Sequence, residues 1–404
     1  MKVIRNLNQI LTLESASKKD GRMLVPDDIS LINNGAIVYS ESKIIWVGKN
    51  KDLPNEYKDM DFKDGSGLVL TPGLVDSHTH LVFGGDRAFE YTMRLNGADY
   101  QDIADAGGGI LSTMEKTISS TNSDLFNKAC ERVERIYSYG VKAIEIKSGY
   151  ALTFEKEKEL TLIIDKLKKH FNGKVIIHNT FMAAHAVPKS FNSSKEYINK
   201  IVIPLLEDDE IKSTIDSVDI FHEDGYFNAE DVETLFKKCQ TLSINTRIHA
   251  DEFNDNKGAV LASQYRSLSA DHLLATGIDG AKALAKSRTV ATILPGTAFF
   301  LGKPLANARM FLDEGCAVAI ASDYNPGSSH CDNLLMVASI SAKSLGFNIA
   351  ELWAAITLNA GKAINRPDIG SIEIGKSPVF SFFNIENIDQ ITYSWGRNFF
   401  TSDF

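Results

Sequence analysis

The chain has 404 residues, 44% of them hydrophobic, enough to bury a large core as two conventional domains or as one α/β barrel with a smaller appendage. Its balance is acidic, with 43 Lys and Arg against 52 Asp and Glu and a formal net charge of -9, which excludes a general nucleic-acid or anionic-membrane surface role. The four cysteines (Cys130, Cys239, Cys316, Cys331) contain no Cys-x-x-Cys pair and are too few for a disulfide scaffold. The N-terminus lacks the apolar core of a signal peptide, and no stretch approaches the ~18 apolar residues of a membrane span. A soluble cytoplasmic protein is expected.

In chain order, residues 1–63 read as short β segments, with Ala36-Ile-Val-Tyr39 and Lys43-Ile-Ile-Trp-Val-Gly48 forming a hairpin. An apolar run from Gly67 to Val75 follows and ends in Asp76-Ser-His-Thr-His80. From there, apolar β-type runs alternate with helical segments, the pattern of a parallel sheet. The strand candidates end near His78, Lys147, His185, Glu223, His249, His272, Pro295 and Asp323. Between them, Leu160, Ile163, Ile164, Leu167 and Phe171 recur at helical spacing. From about residue 364 the β texture returns in Gly370-Ser-Ile-Glu-Ile-Gly375, Val379-Phe-Ser-Phe-Phe383 and Ile391-Thr-Tyr-Ser-Trp395. The expectation is an α/β fold: a (β/α)₈ TIM-like barrel over 64–363, and a small β-sandwich domain built from 1–63 and 364–404. A doubly wound open sheet is the structural alternative.

Side chains alternate along a strand, so His78 and His80 point the same way and can grip one ion. His249 ends the fifth strand candidate and offers a third ligand, with Glu252 just beyond. Ala317-Val-Ala-Ile-Ala-Ser-Asp323 is a buried-strand run ending in a fourth ligand, Asp323, and Ser269-Ala-Asp-His272 places His272 one strand away. Three histidines and an aspartate leave a coordination position for water, whose pKa such an ion lowers to about 7. His178 and His222 find no partner and read as structural, His170 as solvated; His330 takes no role. Gly107-Gly-Gly109 follows no nucleotide-binding pattern and reads as a flexible loop. Arg94 reads as an anchor for its own loop. No Gly-x-Ser-x-Gly or His-Glu-x-x-His occurs, which removes the commonest serine-hydrolase and zinc-protease readings.

Pro72-Gly-Leu-Val-Asp-Ser-His-Thr-His80, His249, His272 and Asp323 together resemble the amidohydrolase superfamily of metal-dependent hydrolases and deaminases, over nearly the whole chain. Dinuclear members carry a bridging lysine on strand four; Val218-Asp-Ile-Phe-His-Glu-Asp224 has none, so a single ion is expected. Seven further segments narrow the resemblance: His80-Leu-Val-Phe-Gly-Gly-Asp-Arg87, Met93-Arg-Leu-Asn-Gly97, Ala106-Gly-Gly-Gly-Ile110, Lys147-Ser-Gly-Tyr150, Thr180-Phe-Met-Ala-Ala-His-Ala-Val-Pro188, His249-Ala-Asp-Glu252 and Ser322-Asp-Tyr-Asn-Pro-Gly-Ser328. They are similar to those of the members that open the ring of 4-imidazolone-5-propanoate in histidine degradation, giving N-formimidoyl-L-glutamate.

The resemblance implies His78, His80, His249 and Asp323 as ligands of one zinc or iron ion. It implies Arg87, Tyr150, His185 and Glu252 as substrate contacts, with Asn325, Gly327 and Ser328 in the loop after the eighth strand. Water activated on the ion would attack the cyclic amide carbonyl, with Asp323, His272 and Glu252 handling protons. Arg87, in a glycine-containing loop, suits a bidentate grip on the propionate, and Tyr150 can donate to the same carboxylate. A homodimer acting on a small molecule, with no nucleic-acid or membrane partner, completes the expectation. The first rival is deamination of a cytosine- or guanine-like ring, which would leave Arg87 without a carboxylate to bind. The second is a non-catalytic scaffold, at odds with the intact ligand set.

Overall fold

Short runs rich in Val, Ile and Ala form eight parallel strands in the computed structural model, which describes residues 1–402 and the side chains of all of these except Tyr100, Gln101 and Ala104. They are β1 (Leu74–Asp76), β2 (Val141–Lys147), β3 (Ile176–Ala184), β4 (Ser217–His222), β5 (Ile248–Ala250), β6 (Ser269–His272), β7 (Val290–Ile293) and β8 (Val318–Ile320). Neighbours pair in chain order. The ring closes where Thr79 bridges Tyr324 in parallel, His80 N donating to Tyr324 O at 2.9 Å and Asp323 N to His78 O at 3.1 Å. This is the expected barrel, and an open sheet is excluded by that closure.

The helices follow from pattern and caps. Phe154–His170 buries Leu160, Ile163, Ile164 and Leu167, starts under the Thr153 side chain, which accepts from Lys156 N, and ends in Lys168, Lys169 and His170. The two terminal lysines suit the negative end of a helix. No helix among the described residues is long and apolar enough to cross a membrane.

Both termini build one further sheet of seven strands. Its order is 400–401, 380–384, 68–72, 2–11, 31–39, 44–49, with 63–64 paired to 2–11. Tyr39 and Phe380 sit three strand spacings apart, ~14 Å along a flat sheet. Their ring centroids are 5.4 Å apart, so the sheet curls on itself around Ile4, Leu7, Ile37, Leu70 and Phe382.

Two details depart from the sequence reading. Leu68–Pro72, expected in the barrel, lies between 2–11 and 380–384 in the terminal sheet, so the boundary placed at 63 falls after Pro72. The run is apolar on both sides of Gly73, and hydropathy cannot see the crossing there, where a Cβ would come within 2.7 Å of Lys142 Cβ. At the other end, only Val379–Phe383 of the three expected β runs becomes a strand, Phe380–Asn384. Ile391 belongs to the short helix Asp389–Tyr393, because Ile388 and Ile391 are both buried at helical spacing. Asp403 and Phe404, within the expected C-terminal span, lie outside the described residues.

Candidate active site

The C-terminal ends of the barrel strands carry the chemistry. His78 and His80 flank the bridging Thr79, so both turn inward; His249 comes from β5, and Asp323 follows β8 with φ 51°. His80 Nε2 lies 3.3 Å from His249 Nε2, and Asp323 Oδ1 lies 3.6 Å from His78 Nε2 and 3.7 Å from His80 Nε2. His78 Nδ1 faces Asp271 Oδ2 at 2.8 Å, which fixes the proton on Nδ1 and leaves the buried Nε2 without a hydrogen-bond partner. Burial holds His78, His80 and His249 well below the usual imidazole range, so all three are neutral donors. Lone pairs aimed at one another at these distances repel unless a cation lies between them; the three imidazoles form a cluster that could hold such an ion, with the Asp323 carboxylate beside it.

Beneath this set lies a buried ionic lattice that the sequence reading missed. Lys147 Nζ contacts Glu145 Oε1 and Asp219 Oδ2, each at 2.7 Å, and Arg247 Nη2 donates to Asp271 Oδ2 at 3.0 Å. All five side chains have no exposed surface. Asp219 Oδ2 also lies 3.1 Å from His249 Nδ1, so two of the histidines are backed by carboxylates. Three acids against two bases leave the lattice one negative charge, which favours a cation above it. The available signal was charge at alternate positions of otherwise apolar strands, as in Glu145-Ile-Lys147 and Arg247-Ile-His249. Lys147 is the expected motif residue, but its partners make it structural rather than a ligand.

A cavity of about 120 Å³ opens beside the histidines, lined by His80, Arg87, Ile110, Tyr150, His185, Phe221, His249, Glu252, His272, Asp323, Asn325 and Ser328. Of the expected site residues, only His78 and Gly327 are absent from the lining; His78 lies below it, and Gly327 sits beneath the Arg87 guanidinium. Ile110 and Phe221 were not anticipated, since an apolar residue at a strand end carries no chemical signature.

His185 stacks on His80 with centroids 5.0 Å apart, and its Nδ1 donates to Gly149 O at 3.0 Å. Burial keeps it neutral, down to about 4, and pushes the Tyr150 phenol above its ordinary range. Glu252 Oε2 stands 3.7 Å from His272 Nε2. Burial, then the charges of Asp323 and Glu223, push Glu252 up to about 8; burial takes Asp323 up to about 7 and His272 down to about 4. The Glu252 loop is pinned by Glu223, which accepts from Phe253 N at 2.8 Å and Asn256 Nδ2 at 2.8 Å. His272 at φ 77° and Asp323 at φ 51° are left-handed, the kind of local strain that concentrates at functional positions.

Arg87 is not free. Glu90 takes its Nε at 2.8 Å and its Nη2 at 2.6 Å. Asn325 is committed to its own turn, its Oδ1 accepting from Gly327 N and Ser328 N, each at 2.8 Å. His178 meets Ser217 Oγ at 2.9 Å, and His222 bridges Phe227 O and Asn256 O, both structural as expected. The exposed His170 packs edge-on to Phe126.

The amidohydrolase family model matches residues 69–400. An imidazolonepropionase of Clostridium tetani is 35% identical over 400 residues, covering 98% of this chain and 94% of the relative. One of Bacillus velezensis is 37% identical over 399 residues, covering 98% and 93%. Among solved structures, a mutant of the atrazine chlorohydrolase TrzN of Arthrobacter aurescens superposes with TM-score 0.67 at 14% identity, covering 99% of this chain and 93% of the other. An adenosine deaminase of Xanthomonas campestris with bound zinc gives TM-score 0.66 at 16% identity, covering 99% and 90%. These two share the fold.

Proposed function

The chain belongs to the amidohydrolase family, with the imidazolonepropionases as its relatives, and from that premise we propose that it hydrolyses the ring of 4-imidazolone-5-propanoate to N-formimidoyl-L-glutamate in histidine degradation. The observation that supports the reading best is the small cavity in which His80, His249, Asp323, Glu252 and Arg87 meet.

His78, His80, His249 and Asp323 would hold one ion, zinc or iron, since imidazole and carboxylate suit both. Such an ion supplies Lewis acidity, polarising the ring carbonyl and making an adjacent water more acidic. The remaining work belongs to the side chains. Water adds across the amide: its oxygen bonds to the carbonyl carbon, the C–N bond breaks, and a proton must reach the departing nitrogen. Asp323, its Oδ1 beside His78 and His80, is placed to accept the water's proton. Glu252, lifted to about 8, is protonated at neutral pH and suited to deliver one to nitrogen, with neutral His272 beside it. Arg87 presents its Nη1 side to the propionate, and the un-ionised Tyr150 donates to the same carboxylate. His185, its Nδ1 committed to Gly149 O, has Nε2 left for the ring. A cytoplasmic homodimer completes the proposal, on the strength of the family resemblance.

The test incubates freshly made 4-imidazolone-5-propanoate with metal-loaded protein, following loss of ring absorbance and appearance of N-formimidoylglutamate beside a chelated control. Cytosine and guanine serve as rival substrates. Metal-dependent ring opening is expected; ammonia release from a nucleobase without ring opening would overturn the substrate while leaving the barrel and metal site in place.

A further inference from the structure

Glu90 lies in the first turn of the helix Ala88–Leu95 and is 5% exposed. Both of its oxygens are engaged. Oε1 accepts from Arg87 Nε at 2.8 Å and from Gly109 N at 2.9 Å, and Oε2 accepts from Arg87 Nη2 at 2.6 Å. The guanidinium is thus gripped along one edge. Its Nη1 makes no hydrogen bond to the described residues and rests over Gly327, where a Cβ would come within 1.8 Å of it. With one edge forked onto Glu90 and one face set by Gly327, the edge of Nη1 and the second N–H of Nη2 is what remains for a ligand.

The glycine run at 107–109 belongs to this device. Gly107 and Gly109 take φ of 78° and 85°, which suits glycine. Gly108 lies outside the left-handed region, yet a Cβ there would meet Ile103 Cγ2 at 2.7 Å and Glu90 Cδ at 3.0 Å. The absent side chain lets the backbone settle onto the carboxylate so that Gly109 N can donate to it. The next residue, Ile110, lines the cavity beside Arg87.

We propose that Glu90 is a positioning residue for the substrate's carboxylate tail, holding the Arg87 fork in register and tying it to the glycine turn that carries Ile110. Glu90 neutralises Arg87, so the pair selects by orientation, favouring a planar carboxylate that can bridge Nη1 and Nη2, more than by net attraction. This rests on the ring-opening reading for the identity of the tail. A plain helical ion pair between residues three apart would secure the loop and show no preference among ligands.

The experiment compares the unmodified holoenzyme with Glu90→Gln and Gly108→Ala. It measures KM and kcat for imidazolone propanoate, and inhibition constants for imidazole-4-propanoate and the tail-less 4-methylimidazole. Both variants are expected to raise KM and the tailed inhibitor's constant on the order of tenfold, leaving kcat and the 4-methylimidazole constant unchanged. An equal loss for both inhibitors, or no change for either, overturns the proposal. Absence of turnover in the unmodified protein would sink the ring-opening reading alone, because calorimetric dissociation constants of the same two ligands still report whether Glu90 governs tail recognition.

Discussion

Asp271→Asn tests the lattice under the metal site with little change of shape. Asp271 Oδ2 receives both the His78 Nδ1 contact at 2.8 Å and the Arg247 Nη2 bond at 3.0 Å, and Lys147 Nζ lies 3.8 Å away. An asparagine with its amide oxygen in that place keeps both bonds and loses only the charge. Arg247 and Lys147 hold the Asp271 carboxyl below its ordinary value against the pull of burial, so it is the ionised form that the fold uses. Removing one charge from a buried pair costs about 3–5 kcal/mol. At ~2–4 °C per kcal/mol this predicts a fall in melting temperature of roughly 6–20 °C. The lattice also drops from one net negative charge to none beneath a cation, and changes to such supporting groups cost about 10–100-fold in metal affinity. Calorimetry of the loaded protein gives the first quantity, and zinc competition against a chelator gives the second. A variant that melts with the unmodified protein and binds zinc equally well refutes the reasoning.

Arg87→Ala is expected to raise KM for the imidazolone on the order of 100-fold. It leaves the buried Glu90 carboxylate opposing the substrate's own, so steady-state kinetics of Arg87→Ala with Glu90→Gln should recover several-fold. A double variant worse than the single one argues against the anchor. Glu252 is raised from its ordinary 4.5 to about 8, so the stability it contributes is full below 4.5 and is lost as pH rises through about 8. Metal-free Glu252→Gln should therefore lose less melting temperature between pH 7 and pH 9 than the metal-free unmodified chain, and the activity of the metal-loaded variant should lack the alkaline limb of the pH profile. Chelation should abolish ring opening and lower the melting temperature, since neutral His78, His80 and His249 then face one another without a cation; zinc or iron(II) should restore both. A melting temperature indifferent to chelation would count against the site.

Much of the site was legible because its chemistry demands rare residues at fixed places. His78-Thr-His80 puts two histidines on one face, and His249 and Asp323 each close a buried apolar run. What stayed hidden depends on partners distant in sequence. Nothing in Asp219 or Asp271 says that each lies within 3.1 Å of a lysine, arginine or histidine on another strand. Arg87 announced a cation but not Glu90, three residues on, as its partner. The glycines at 107–109 looked like freedom, whereas at Gly108 the gain is close approach. Leu68–Pro72 misled because a central strand of either sheet has the same composition.

The terminal sheet has a consequence for how the protein is made. Its strand 68–72 is buried between 2–11 and 380–384, the latter emerging from the ribosome more than 300 residues later. Until then one backbone edge of an apolar strand has no partner, and such edges recruit other chains. The barrel waits as well, since Thr79 cannot bridge Tyr324 before β8 is synthesised. Contacts this distant fold slowly. A ribosome stalled before Phe380 therefore releases a chain with an open sheet edge, a natural substrate for chaperones and proteases. The barrel can close once Tyr324 is made, whereas the terminal sheet stays open until Phe380–Asn384 follows.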